Sequence, residues 1–583
     1  MKLHIFSTVI ALSIGASLSA QDLSKEIVIE KDIVPQERQA SRHNVTPTMS
    51  LSPISVKPLS LSEGAAGVQV PGFLTTLEPA QGECLIGKSP YRGYANIGYF
   101  PLLNFGASAG YRIIASEATT LDVWDQYNFN SYDFDTRCAD DINNRKSALT
   151  LGTFINHHIN KYTSVNAGID YSIYNFNVPQ LNHDGYNQRV NSLGFNVGVD
   201  SKAGNLDYNV GVKYGYFGFA HVDPYNTFQP ENAEGNNENR ISILGGVSLP
   251  TGDDSKAGID VDATFLRYNT DAKWTGYAHP TTLKVTMMET AIDGYTRGAV
   301  SLTPYYSIKN KAFDARIGAD VSIAIKSGKT LHISPDVHFA WKPTASFGVW
   351  GKATGGQELN SLSSLFQDCW YMSPLMAHCN SDIKYDLQLG ISFNPFRGFT
   401  GKLYGNYTTT EDWLMQSILD GNQPVEYFNH IYTAVDLKGW LLGASLAYDY
   451  NGIAVIEVAY ETAPSKYDKG YYAWRDRAKS VLSAKLSVKP IDNLNIALGY
   501  NLRKDRATYA LETYSIGSLT AFEPYRVDLG DANSLNLSAT YSVTPQLSVF
   551  AEINNLLGEE WDDCYGISAA PANGLIGVSY KFW

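Results

Sequence analysis

The chain is poor in charge. Lys, Arg, Asp and Glu make up 18% of its 583 residues, below the ~25% of an ordinary soluble domain. The charge present leans acidic, net −13, and Lys and Arg do not cluster. Nucleic acid is therefore excluded as a partner, because phosphate neutralisation needs a basic patch. Long apolar runs are also missing. Past the first twenty residues no window approaches ~18 uninterrupted apolar residues, so no transmembrane helix is expected. His-Glu-x-x-His is absent and no catalytic constellation stands out, so the sequence gives no reason to expect an enzyme or a cofactor. Cysteine is scarce, with five residues at Cys84, Cys138, Cys369, Cys379 and Cys564, at spacings that do not resemble a zinc site.

Tyr, by contrast, is abundant at 38, beside 10 Trp. Amphipathic aromatics suit a surface that meets both lipid and water. Period-2 alternation is clean in several places. Leu193, Phe195, Val197 and Val199 alternate with Gly194, Asn196, Gly198 and Asp200. Leu482, Ala484, Leu486 and Val488 alternate with Ser483, Lys485, Ser487 and Lys489, and Leu535–Val543 behaves in the same way. Such strands have one apolar and one polar face. The connections decide what kind of sheet they build. Tight turns at Asn160-Lys161, Ser201–Gly204, Lys309–Lys311, Asn394–Gly398, Asn451-Gly452 and Thr544-Pro545 alternate with long polar stretches. These are 130–145, 219–238, 272–294, 356–381, 412–427, 506–528 and 555–571. Short turns at one end and long loops at the other mark an outer-membrane barrel. The expected fold is therefore all-β, a transmembrane antiparallel barrel of about 22 strands with short periplasmic turns and long extracellular loops. Its outer face would meet membrane lipid and its interior would be polar.

The two ends carry further signals. Lys2 followed by the apolar stretch Ile5–Leu18 and small residues up to Ala20 reads as a cleaved signal peptide over 1–20, placing the chain in the outer membrane after export. Residues 21–91 are Pro-rich, with Pro35, Pro47, Pro53, Pro58, Pro71, Pro79 and Pro90, and lack periodicity, as a periplasmic tail or vestigial plug would. The barrel is expected over 92–583. At the other end Ile576, Val578, Tyr580 and Phe582 alternate with Gly577, Ser579 and Lys581 before Trp583. A last strand ending in aromatics resembles the sorting signal of outer-membrane proteins.

The run Gln546–Gly558, with its Asn554-Asn555-Leu556-Leu557-Gly558, together with Leu535–Tyr541, Gly577–Phe582 and Leu437-Lys438-Gly439-Trp440, resembles the barrel of TonB-dependent receptors of the Bacteroidetes type. The resemblance is strong over the C-terminal third and diffuse before it. It implies a barrel of 22 strands and a role in solute uptake or capture at the cell surface. Those receptors carry an N-terminal plug domain much longer than residues 21–91, so a full plug is expected to be missing here. The alternative is a non-transporting barrel that serves as a scaffold subunit of a larger outer-membrane assembly.

The alternating run Lys25–Glu30 contains Glu26, Ile27, Val28 and Ile29. It loosely resembles the strand by which such receptors add an edge to a TonB-type periplasmic protein, a backbone-driven pairing; a linker or self-docking strand is the plainer reading. Cys369 and Cys379 share one expected loop and are the candidate disulfide, leaving Cys84, Cys138 and Cys564 unpaired. The same loop holds Gly355-Gly356 and Trp370-Tyr371. It could bind a ligand or another outer-membrane protein, fold inward as a constriction, or shield the mouth. His157 and His158 are expected at a periplasmic strand end as an interfacial polar pair. Asp140-Asp141, Glu559-Glu560 and Asp562-Asp563 read as solvated loop charge without metal-ligand spacing. Trp341, Trp350, Tyr448 and Trp474 read as membrane-interface anchors.

Overall fold

Alternating β-branched, aromatic and small polar residues cannot form a helical stripe, but they do form strands with two unlike faces. A computed structural model of the chain describes residues 91–100, 104–134, 142–178, 186–221, 235–269, 276–277, 287–288, 294–310, 312–373, 379–420, 430–463, 478–516 and 519–582. The leader 1–20, the tail with Glu26–Ile29, Cys84, Cys138, Asp140-Asp141, Trp474 and Trp583 lie outside the described residues. Twenty-four strands hydrogen-bond into one sheet, and 22 of them close an antiparallel barrel. The ring shuts where Gly93–Phe100 pairs with Asn573–Phe582, from Gly93↔Phe582 to Tyr99↔Ile576. The C-terminal aromatics therefore sit on the seam. Tyr580 is half exposed, and the Phe582 ring stacks on Tyr111 at 5.8 Å.

Burial is inverted relative to a soluble protein. In the strand Tyr186–Ala203, Phe195 is 43% exposed while its neighbour Asn196 is 4% exposed and Ser192 is fully buried. Ile169, Val212, Leu302, Leu389 and Trp440 are likewise exposed on the outer face. An apolar outside around a polar inside is stable only where lipid replaces water.

The two ends of the barrel differ. At one end strands join through turns of two or three residues, between Asn160 and Thr163, Ala203 and Leu206, Tyr450 and Ala454, and Ile491 and Leu494. Asn451 and Gly452 both take positive φ, 53° and 71°. That conformation is what a tight hairpin turn requires, and Gly adopts it without a steric cost. The Asp449 carboxylate then accepts from the Gly452 amide at 2.6 Å. The chain at Gly93 and Phe582 also meets this end. Long connections such as 360–379 and 555–572 leave from the other end.

Four sequence expectations are corrected. The stretch 506–528 is a hairpin, Ala507–Ile516 with Leu519–Asp528, that stands beyond the ring and pairs in parallel with Ser417–Asp420. The strand Phe399–Asp420 accordingly continues through part of the expected 412–427 loop. Gly355 and Gly356 lie inside the strand Phe347–Leu359, at a bulge where Gly356 takes φ 128°. Trp350 is a lumenal residue and not an interface anchor. Its partner Gly390 faces inward, and a Cβ there would lie 2.3 Å from the Trp350 ring, so glycine makes the room. Trp341, by contrast, is 47% exposed on the outside, and Tyr448 packs on Phe396 at 6.0 Å at the tight-turn end.

The face assignment is testable. Phe195→Lys puts a charge against lipid and is expected to destabilise the barrel by about 2–4 kcal/mol if near the bilayer midplane. Asn166→Lys puts the same charge in the lumen beside Asp200, 3.5 Å from the present amide, and is expected to be tolerated. Urea titration of both variants in lipid vesicles checks the contrast; equal losses would refute it.

Candidate functional site: a lumen closed by its own loops

Most inward positions are Ser, Asn, Thr, Asp and Lys, yet at the loop end of several strands the pattern changes. Ser172, Tyr174 and Phe176 share one face of the strand Thr163–Val178, and Phe217 and Phe219 end the strand Leu206–Phe219 on the same lumenal side. All four aromatics are buried. What covers them is the connection between Phe347–Leu359 and Asn380–Phe393, which folds into the mouth.

This connection carries a helix, Leu362–Asp368. Ser361 caps it: its hydroxyl accepts from the Ser364 amide at 3.1 Å, while the Ser364 hydroxyl answers on the Ser361 amide at 3.0 Å. The pair satisfies two otherwise orphaned amides. Leu362, Leu365 and Phe366 point into the aromatic wall. The Phe366 ring lies 5.3 Å from both Tyr174 and Phe217 and 5.9 Å from Phe176 and Phe219. Trp370 stacks on Phe366 at 5.4 Å. The result is a small hydrophobic core inside a polar lumen.

Polar contacts hold the cap from separate sectors of the wall. Arg297, 1% exposed, donates to the Tyr268 hydroxyl at 2.8 Å, to Asn380 Oδ1 at 2.6 Å and to the Asn360 carbonyl. The Glu238 carboxylate accepts from the Leu362 amide at 2.9 Å. The Tyr432 hydroxyl reaches the Leu365 carbonyl and Asp368, each at 2.9 Å. Tyr371 donates to Asn144 Oδ1 at 2.8 Å, and burial pushes its hydroxyl well above its ordinary value, so it stays protonated and donating. Lys146 sits over the same ring at 4.8 Å, an attractive cation–π contact. The second connection, 555–572, also folds in. Ile567 and Cys564 join the apolar cluster, and the Ser568 carbonyl accepts from the Tyr132 hydroxyl at 3.0 Å.

Below the cap the wall is charged. Arg316 bridges Asp260 at 2.8 Å and Asp336 at 2.6 Å and lies 3.7 Å over the Tyr305 ring. At the rim beside the cap, Asp382 meets His332 and Lys329, each at 2.6 Å. Towards the tight-turn end lies a cavity of about 430 Å³ whose lining includes Tyr162, Asp200, Asp207, Tyr208, Lys256 and Tyr305.

The expected site residues fall as follows. Of the three roles open to the loop of Trp370 and Tyr371, inward folding is the one observed. The expected Cys369–Cys379 pair is not brought together. Cys379 Sγ lies 4.0 Å from the Asp412 carbonyl, while Cys369 Sγ lies 3.0 Å from Cys564 Sγ. The physical reason is the inward fold itself: it carries Cys369 across the mouth while Cys379 stays near the wall beside Asn380. His157 is exposed at the tight-turn end, 2.8 Å from the Thr119 hydroxyl. Glu559 accepts from Asn533 at 2.9 Å. Among the described residues no His, Cys, Asp and Glu group is arranged to hold a metal ion. Arg297, Glu238 and Asn144 were missed by sequence reasoning. The available signal was four aromatics on the face that is otherwise polar.

No family model matches the chain, and no curated protein sequence is similar to it. Solved structures are similar in fold. The ferric enterobactin receptor PfeA of Pseudomonas aeruginosa matches with a TM-score of 0.62 at 11% identity, over 84% of this chain and 80% of that one. The siderophore receptor PirA of Acinetobacter baumannii matches at 0.61 and 10%, over 84% and 80%. The ferripyoverdine receptor of the outer membrane of Pseudomonas aeruginosa matches at 0.58 and 13%, over 84% and 72%. The fold implied by the sequence resemblance is the fold found, and these neighbours are receptors rather than enzymes.

Two outcomes test the cap. Phe366→Ala removes its central ring, a loss of about 3–5 kcal/mol for a buried Phe. Hydrogen exchange over 362–371 should rise while the barrel strands stay protected. Asp563 supplies a pH test. It keeps partial solvent contact, but the protein around it and neighbouring Cys564 push its carboxyl up to about 7, against the pull of Lys146, Arg503 and Arg506. Because an unfolded Asp ionises near ~3.9, the folded cap holds the proton longer. Its stability should therefore fall as pH rises from about 4 to about 7 and level off above that. Protection factors over 562–570, taken relative to the base-catalysed intrinsic exchange rate at each pH, should be lower at pH 8 than at pH 5, and Asp563→Asn should flatten the difference; an unchanged profile in the variant would refute the assignment.

Proposed function

We propose that this chain is an outer-membrane receptor barrel for capture and uptake of a solute at the cell surface, with the inward-folded segment 360–373 as its gate. The observation that carries the reading is the cap. A closure built from a loop can leave the lumen without breaking one strand-to-strand bond of the wall, which a gated passage requires. The polar, mixed-charge wall beneath suits a solute that keeps its hydration or carries both signs.

Ferric siderophores are the first class to test, because receptors of like fold are seen with enterobactin and with ferripyoverdine. Uptake through a closed barrel needs work from outside the bilayer. The segment Glu26–Ile29 is the proposed edge for a TonB-type periplasmic protein. Export and residence in the outer membrane belong to the same reading.

The experiment is uptake of iron-labelled siderophores by cells lacking the chain, complemented with the full chain or with a variant lacking 23–34. Restoration by the full chain and failure of the deletion variant are expected. Uptake that is unaffected by loss of the chain, together with stoichiometric co-purification with another outer-membrane protein in mild detergent, would overturn the proposal in favour of the scaffold alternative.

A further inference from the structure

The two inward connections meet at a pair of thiols. Cys369 ends the helix Leu362–Asp368, and Cys564 lies in the connection between Leu547–Asn554 and Asn573–Phe582. These connections leave the wall far apart. Six strands separate Asn380–Phe393 from Leu547–Asn554 around the ring. Yet the two Sγ atoms stand 3.0 Å apart, although the residues are 195 positions apart in sequence, and both residues are buried, at 2% and 6% exposure. The separation is only about 1 Å longer than a disulfide bond of ~2.0 Å. Cys379, the other described cysteine, is turned away towards the Asp412 carbonyl.

We propose that Cys369 and Cys564 form a disulfide in the exported protein, and that this bond staples the two connections into one cap across the mouth. The proposal rests on the export and gating reading above. The step balances with a dithiol oxidase of the exporting compartment as oxidant. One cysteine thiolate attacks the oxidant's disulfide, forms a mixed disulfide and displaces one oxidant thiolate. The second cysteine thiolate attacks the first cysteine's sulfur, closes the Cys369–Cys564 bond and displaces the other oxidant thiolate. The two cysteine protons end on the oxidant, which leaves as a dithiol carrying the two electrons. Cap closure then buries both sulfurs, which shields the bond from reductants that do not unfold the cap. With the bond in place, neither connection swings clear of the lumen alone; they leave together or the bond is reduced first.

The test uses the full chain extracted from outer membranes in the presence of an alkylating agent, then denatured and digested without reductant. A protease cutting after aromatic residues separates Cys369 from Cys379 at Trp370 and Tyr371. A linked peptide pair holding Cys369 and Cys564 is expected. Linkage of Cys369 to any other cysteine, or recovery of Cys369 and Cys564 both alkylated, overturns the proposal. A second arm uses Cys564→Ser. Cys369 should take label after denaturation in this variant and not in the parent chain; equal labelling in both overturns the bond. In planar bilayers the Cys369→Ser/Cys564→Ser chain should open several-fold more often than the parent, and equal opening overturns the staple. Peptide mapping reads the bond whatever the barrel carries. A bond without solute uptake thus removes the uptake reading alone, and uptake without a bond removes the staple alone.

Discussion

Lipid offers a peptide group nothing to hydrogen-bond with, and each unpaired amide or carbonyl in the hydrocarbon layer costs several kcal/mol. A sheet with an edge cannot survive there. The pairing of Gly93–Phe100 with Asn573–Phe582 is therefore the contact on which the other strands depend, because it removes both edges at once. It is made by the first and last described strands, which lie almost the full length of the chain apart. Gly98 and Gly577 face each other on this seam, and a Cβ on Gly577 would come within 2.3 Å of the Ile97 carbonyl and the Phe550 ring. The small residues let the closing strands approach with Phe550 packed over them.

Closure creates a second problem, because a ring of this size encloses a wide lumen that side chains alone do not fill. The chain meets it from above. Burying a Leu or Phe yields about 1.5–3 kcal/mol, whereas ordering one residue's backbone costs about 1–2 kcal/mol. Leu362, Leu365 and Phe366 cannot by burial alone hold a connection as long as 360–373 in place. The polar ties are needed for that reason, and they come from different parts of the ring: Arg297 on one strand, Glu238 on another, Tyr432 and Asn144 on two more. Each is buried with its partner, so removing one leaves an unsatisfied group as well as a lost bond. The cap is thus held by many modest contacts to the wall rather than by one large apolar interface.

The wall was legible in the sequence because its physics is local. Period 2 sets the faces, as in Leu193–Asp200, and turn chemistry sets the tight end, as at Asn451-Gly452. Strand number followed from counting turns. Errors came where side-chain direction depends on a distant partner. Trp350 reads as an interface anchor until its pairing with Gly390 turns it into the lumen. The polar stretch 506–528 reads as a loop because nothing lipid-facing imposes alternation on strands that stand clear of the membrane.

The cap was only partly legible, and the cysteines show why. Cys369 and Cys379 are ten positions apart in one connection, and nearness in sequence is the natural basis for pairing them. The inward fold overrides it. Once Phe366 is drawn to the wall formed by Tyr174, Phe176, Phe217 and Phe219, the segment behind it crosses the mouth, and Cys369 is carried to the far connection. That destination is fixed by aromatic residues 150 to 195 positions upstream, on strands whose other inward residues are polar. An aromatic group on the lumenal face is the local mark of such an event. A side chain that meets neither lipid nor water needs an apolar partner, and here that partner could only come from a connection long enough to fold in.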